Sequence, residues 1–363
     1  MMDVVIRTDA SVTIGTGHVM RCLTLAEALR QQGADITFIC RAHKGHLLAR
    51  IEQHGFKTYK LPESIENTND AEQSNSTERE RLYGTQWLGS TQQQDAEQCQ
   101  PILEKIRPDW LIIDHYAIDA VWQRLLTDSY KQLMVIDDLA DRTHECDLLL
   151  DQTYGRSEQD YIDYVPKNCH MLLGSQYALL RPEFVQWREY SLKRRVKPEL
   201  KKLLITMGGV DPDNVTGQVL KALKGCKLPQ ALEVTVILGE TAPNIEAVQQ
   251  QAKGLPYKTQ IKTAVNNMAE FMANADLAIG AAGATTWERC CLGVPSIQVV
   301  IAENQKIIAY NLQEVSAIKV LENIDYLCAE LGSLKNNLLM YSNNSEKITN
   351  GNGVKLVAKA LYE

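Results

Sequence analysis

Apolar residues in the first half of the chain follow two rhythms. Val4–Thr8, Ile36–Cys40, Trp110–Asp114 and Leu133–Asp137 are short continuous apolar runs, and Cys146–Leu150 and Met171–Leu173 are shorter ones. Gly17–Gln32 carries apolar residues at 19, 20, 22, 23, 25, 26 and 29. That is one face of a helix, which Gly33 stops. Continuous apolar runs between helices predict a parallel sheet covered on both faces. Residues 62–80 break the rhythm: they are polar, nearly free of large apolar groups, and read as a mobile surface excursion.

The rhythm restarts after a basic stretch at 191–202, read as a solvated linker. Leu203–Met207 runs into Gly208-Gly209, Val234–Leu238 into Gly239, Ala275–Ile279 into Gly280, and Ser296–Val300 follows Pro295. Helical patterns intervene near 214–224, 244–252, 267–273, 284–292 and 304–316. The expected architecture is α/β, with two Rossmann-like domains at 1–190 and 203–345. Such sheets bind ligands beyond the carboxyl ends of their strands, so a ligand cleft between the domains is expected.

Composition narrows the chemistry. The 363 residues suit two domains, and 45% hydrophobic with 23% charged residues excludes disorder of the whole chain. A net charge of −7 gives no electrostatic reason to bind nucleic acid or anionic membrane. Met1–Arg7 reads as a buried strand, not a secretory leader. No window approaches the roughly 18 apolar residues of a membrane span. The nine cysteines are scattered without a CxxC pair, which favours reduced thiols in a cytoplasmic protein over a disulfide framework or zinc site. All seven histidines lie at or before His170, so a histidine base must come from the first half.

Ile14-Gly15-Thr16-Gly17-His18 lies between a strand and a helix. Glycines let a ligand approach the backbone, and a helix start favours negative charge and disfavours imidazolium. His18 there is expected to be neutral and able to accept a proton, or, more plainly, to cap the helix. Gly280-Ala281-Ala282-Gly283-Ala284-Thr285-Thr286-Trp287-Glu288 repeats the arrangement. Its small residues leave room for a pyrophosphate rather than fill a core, the hydroxyls of Thr285 and Thr286 add donors, and Glu288 is placed to accept from both hydroxyls of a ribose. The alternative is a tight helix–sheet contact with a surface glutamate.

Gly208-Gly209-Val210-Asp211-Pro212-Asp213-Asn214 contains a DxD, but Pro212 interrupts it and helix capping explains Asp213. No metal is expected. Asn304 and Gln305 offer amides to a sugar or a water, or simply start a helix. Asp114-His115-Tyr116 and Asp137-Asp138 end two first-half strands and are plausible site residues, although His115 is equally explained as a structural hydrogen-bonding group. His43, His46, His54, His144 and His170 have no spacing that singles them out. No GxSxG, Walker loop or HExxH is present.

Taken together, these segments resemble the UDP-sugar hydrolases of pseudaminic acid biosynthesis. The resemblance runs through IGTGHVMRC (14–22) with the following TLAEAL, TQWLGSTQQQDA (85–96), PDWLIIDHYAID (108–119), VIDDLADRTHECDLLLDQ (135–152) and LLGSQYALLRPEF (172–184). It continues through MGGVDPDNVTGQVL (207–220), VILGETAP (236–243), MAEFMANADLAIGAAGATTWERCCLGVPS (268–296) and IAENQ (301–305). It covers roughly residues 4–320. Ala284-Thr285 departs from a common small-residue–Ser pattern, but the threonine keeps the hydroxyl.

That family is similar to the glycosyltransferases of the GT-B fold. The resemblance implies a GT-B arrangement, UDP held mainly by the C-terminal domain, and a final segment, 346–363, that returns to the N-terminal one. The implied substrate is UDP-2,4-diacetamido-2,4,6-trideoxy-β-L-altropyranose, hydrolysed at the anomeric carbon by water with inversion, without metal or cofactor. It makes His18 the general base and gives Tyr116 and Asn304 the orientation of substrate or water. The substrate-binding residues expected are Asp9, Gly15, Gly17, Arg21, Gly208, Gly209, Gly283, Ala284, Thr285, Glu288 and Gln305. The expected partners are the UDP-sugar and water, with no nucleic acid and no membrane insertion. A GT-B glycosyltransferase using a UDP-sugar and a non-catalytic UDP-sugar binding protein stay open as alternatives.

Overall fold

A computed structural model describes residues 1–62, 85–240 and 242–363. Apart from Pro62, the polar segment at 62–80 lies outside the described residues. The chain folds into two compact units. The first comprises Met1–Gln152, Arg156–Leu179 and Val354–Glu363, and the second Thr153–Gly155 and Leu180–Gly353.

In the first unit the strands are β1 (Asp3–Thr8), β2 (Asp35–Arg41), β3 (Lys57–Leu61), β4 (Trp110–Asp114), β5 (Gln132–Ile136), β6 (Leu148–Asp151) and β7 (His170–Leu173). They form one sheet in the order β3-β2-β1-β4-β5-β6-β7, with every pair parallel. Neighbouring residues on a strand face opposite sides. Val4, Ile6, Ile112 and Met134 pack with Cys22, Leu25 and Leu29 of the helix Gly17–Gln31 and with Val357 and Leu361 of the helix Gly353–Tyr362. Val5, Leu111, Ile113 and Val135 face the other way, onto Cys99 and Leu103 of the helix Gln92–Ile106 and onto Trp122. Burial on both faces is why these strands carry uninterrupted apolar runs. The last helix is tied down by Trp110 Nε1, which donates to the Leu361 carbonyl at 2.9 Å.

In the second unit the strands are β8 (Lys202–Thr206), β9 (Glu233–Leu238), β10 (Lys258–Thr263), β11 (Leu277–Ala281), β12 (Ser296–Val299) and β13 (Lys319–Leu321). Their order is β10-β9-β8-β11-β12-β13, again parallel throughout. Leu203, Ile205, Val234, Val236 and Ile279 build its core with Val219, Val248 and Leu331 from the flanking helices. No helix among the described residues is long and apolar enough to cross a membrane.

Three expectations are corrected here. The stretch at 191–202 is not a solvated linker throughout. Residues 182–194 form one helix of the second unit, and Arg195 is buried, donating to the carbonyls of Ala275 (2.7 Å), Met272 (3.1 Å) and Leu292 (3.2 Å). Its charge is used to satisfy backbone oxygens rather than to meet water. Reduced thiols throughout do not hold either: Cys226 and Cys328 form a disulfide. The other seven cysteines are free and buried. Helix capping falls to different residues of the DxD segment than expected. Asp211 accepts from the amides of Val215 (2.8 Å) and Thr216 (2.9 Å), and Asn214 accepts from Gly217 (3.1 Å). Asp213 is exposed.

Candidate active site

Adjacent β1 and β4 end level, with Thr8 opposite Asp114. The helix after β1 begins at Gly17, which puts His18 and Arg21 on successive turns beside the end of β4. His18 Nδ1 lies 2.6 Å from Asp114 Oδ1. Arg21 grips the same carboxylate with both arms of its fork, Nε to Oδ2 and Nη2 to Oδ1, each at 2.7 Å. Its Nη1 reaches Asp138 Oδ2 at 2.6 Å, and the Tyr116 hydroxyl donates to that same oxygen at 2.9 Å. The Tyr116 ring stands edge-on to His18 at 4.5 Å between centroids and stacks on Trp87 at 5.9 Å.

Burial alone would raise the Asp114 pKa, but the charges and hydrogen bonds of Arg21 and His18 hold it far below the usual carboxylate range. Asp114 is therefore ionised and can only accept hydrogen bonds. The short contact to His18 accordingly requires a proton on Nδ1, so the neutral tautomer compatible with it is the one whose lone pair lies on Nε2. Gly15, at φ +81°, needs a glycine. A Cβ at Gly15 or Gly17 would meet nothing within 4 Å, so the loop beside His18 is open.

Asp9 does not join this group. It is fully buried, salt-bridged to Arg7 (2.7 Å), bonded to the Arg41 amide (2.6 Å), and close to His115 (3.3 Å) and His43 (3.5 Å). Arg7 and Arg41 also share Asp95, which accepts from Trp122 Nε1. Its Oδ1 takes both the Arg7 guanidinium and the Arg41 amide, so the residue expected to contact substrate has structural partners within the chain.

In the second unit, Gly280 and Ala281 end β11, and the helix Thr285–Cys291 follows. The expectation that small residues keep this whole loop open is corrected. Gly280, Ala281 and Ala282 are buried, and only Gly283–Thr285 reach the surface. Thr286 is also corrected as a ligand donor, because it is fully buried and gives its proton to Gln298 Oε1 at 2.9 Å. Gln305 comes up beside the open part, with its Nε2 3.6 Å from where a Gly283 Cβ would stand, and its Oε1 accepts from the Ile301 amide at 3.1 Å. Asn304 is half-buried next to it.

Glu288 lies 3.3 Å from Arg181 Nη2, and burial raises its pKa despite Arg181. Gly208 has φ +98° with open space at its Cβ position. A Cβ on Gly239 would meet the Gly209 carbonyl oxygen, so these two strand ends touch through backbone.

The structure thus groups Gly15, Gly17, His18, Arg21 and Tyr116 in one unit. In the other it groups Gly283, Ala284, Thr285, Glu288 and Gln305. Asp114 and Asp138, noted from sequence as plausible strand-end site residues, anchor the first group by accepting from Arg21. Arg181 and Arg289 were missed altogether.

Residues 203–360 match the model of the glycosyltransferase family 28 C-terminal domain. The chain is 26% identical over 306 residues to the UDP-2,4-diacetamido-2,4,6-trideoxy-beta-L-altropyranose hydrolase of Campylobacter jejuni, covering 84% of this chain and 94% of that protein. It is 28% identical over 310 residues to the uncharacterized protein MJ1062 of Methanocaldococcus jannaschii, of which it spans 56%. The crystal structure of Acinetobacter baumannii MurG superposes with a TM-score of 0.69 at 16% identity, covering 100% of this chain and 99% of that one, which shows a shared fold. The chain is therefore similar in sequence to the Campylobacter hydrolase, shares the fold of the GT-B glycosyltransferases, and matches the glycosyltransferase family 28 C-terminal domain over residues 203–360.

Proposed function

We propose that the protein hydrolyses UDP-2,4-diacetamido-2,4,6-trideoxy-β-L-altropyranose at its anomeric C–O bond, as a step of pseudaminic acid biosynthesis. The observation that carries this reading is the His18–Asp114 pair at 2.6 Å beside an open glycine loop. An ionised, fully buried carboxylate that fixes the imidazole tautomer is what a general base needs and a helix cap does not.

In the reaction, His18 Nε2 takes a proton from a water whose oxygen bonds to the anomeric carbon. The bond from that carbon to the phosphate oxygen breaks, and its electron pair leaves with UDP. Attack on the face opposite UDP inverts the anomeric centre, as in inverting glycosidases. UDP is a weakly basic leaving group, so it needs charge stabilisation more than a proton. Gly283, Ala284 and Thr285 would meet the diphosphate, Glu288 the ribose, and Tyr116 and Asn304 would orient sugar and water. Both carboxylate oxygens of Asp211 already accept backbone amides, which argues against its serving as a metal ligand.

The match of residues 203–360 to a glycosyltransferase domain favours a second reading, transfer of the sugar to an acceptor. Release of UDP from the UDP-sugar with no acceptor present, in EDTA, tests the two. Turnover at the same rate as with candidate acceptors supports the hydrolase. Release only when an acceptor is added supports the transferase, and binding without release rejects both.

A further inference from the structure

Arg289 is fully buried beneath the loop that follows β11, and it has no carboxylate partner of its own among the described residues. Its neighbour Glu288 is paired instead with Arg181. Arg289 Nη2 donates to the Ala281 carbonyl (2.5 Å) and to Thr286 Oγ1 (3.2 Å), and Nη1 to Thr285 Oγ1 (3.1 Å), while Nε has no partner. The strand makes room for it. A Cβ at Gly280 would stand 2.5 Å from Nη1 and 2.7 Å from the Thr206 carbonyl oxygen, so only glycine admits the guanidinium. Burial pulls its pKa down to about 10, which still leaves it charged at neutral pH.

A buried cation with no carboxylate in hydrogen-bond contact is costly, and Glu288 reaches it only through the wider field. The polarity of the two threonines shows where the field of Arg289 goes. Thr286 accepts from Arg289 and spends its own proton on Gln298. Thr285 accepts from Arg289 in the same way, but it is only half-buried, and among the described residues its proton goes to no acceptor. A hydroxyl that accepts from a guanidinium is a stronger donor, because hydrogen bonds in a chain polarise one another.

We propose that Arg289 is a positioning residue that turns the Thr285 hydroxyl into an outward donor for the diphosphate of a bound nucleotide, lending its charge to the leaving group through that hydroxyl. The inference rests on the reading of the second unit as the UDP site and goes beyond it by assigning the source of the positive charge.

The test is titration calorimetry of the full chain with UDP and with uridine, at low and high salt. Binding of UDP by the unaltered protein upholds the nucleotide reading, and its absence overturns that reading and this inference together. Given that binding, Arg289→Met and Thr285→Val are each expected to weaken UDP by about tenfold while leaving uridine unchanged. The double variant is expected to be little weaker than either single one, and Arg289→Lys to retain part of the preference for UDP. Equal losses for UDP and uridine, or no loss for either, would assign Arg289 a purely structural role and overturn the proposal. Should Arg289→Met fail to fold, Thr285→Val decides: unchanged UDP affinity overturns the proposal, and a loss confined to UDP supports it.

Discussion

Asp114 Oδ1 stands 2.6 Å from His18 Nδ1, and Arg21 holds the same carboxylate from its other side. The imidazole is thereby fixed in both tautomer and direction. One well-placed base supplies roughly 10²–10⁴-fold in rate. His18→Ala or His18→Asn is expected to lower turnover by about that factor, with UDP affinity nearly unchanged, since the residues proposed to hold the nucleotide lie in the other unit. Asp114→Asn is expected to lower it in the same range. Steady-state kinetics beside UDP titrations check this. Parallel loss of UDP binding and turnover would refute the assignment.

Glu288 is held by Arg181 in partial burial, where a carboxylate accepts strongly from vicinal hydroxyls. Glu288→Ala is expected to weaken UDP and uridine alike by about tenfold, the value of one or two hydrogen bonds to a charged group. Titration with both ligands reads the effect, and unchanged uridine affinity would remove Glu288 from the ribose.

Gly280 gives its side-chain space to Arg289. Gly280→Ala drives a methyl into the guanidinium and the Thr206 carbonyl, an overpacking expected to cost about 1–3 kcal/mol. Urea unfolding checks this, and a variant of unchanged stability would mean that the strand relaxes freely there.

Acid should destabilise the first unit in two stages. For His115, burial lowers the folded pKa, with Asp9 opposing. The unfolded chain therefore takes up this proton first, and stability starts to fall as pH drops below about 6.5, by at most about 1.4 kcal/mol per pH unit for one proton. Asp9 and Asp114 are held well below the ordinary range by Arg7 and Arg21 in spite of burial. Their contribution is fully present above about pH 4 and is lost below it. Unfolding midpoints measured from pH 8 to pH 3 should show both stages, and His115→Gln should diminish the first.

The strands that the hydrophobic pattern did not reveal are β3, β10 and β13, and all three lie at sheet edges. Lys258–Thr263 is mostly polar because an edge strand is incompletely covered, so it lacks the continuous apolar run that marks β1 or β4. The glycine loops and His18 were legible because their chemistry is local. Asp114 as the partner of His18 was not, since it lies 96 residues away and meets His18 only through the pairing of β1 with β4. The same holds for Arg289, which reads as an ordinary helix-surface arginine until Gly280 is seen to make room for it, and for the Cys226–Cys328 bond across 102 residues. Asp9 was expected at the substrate only through the family resemblance, and its pairing with Arg7 and the Arg41 amide, set by the fold, was not legible in the sequence.

The most direct measurement is a single turnover of the UDP-sugar in ¹⁸O-labelled water, read by mass spectrometry and by the anomeric proton signal before mutarotation. Water attack at carbon activated by His18 puts the label in the sugar, leaves UDP unlabelled and gives the inverted anomer first. Label in UDP, retention at the anomeric carbon, or full-rate turnover by His18→Ala would contradict the mechanism.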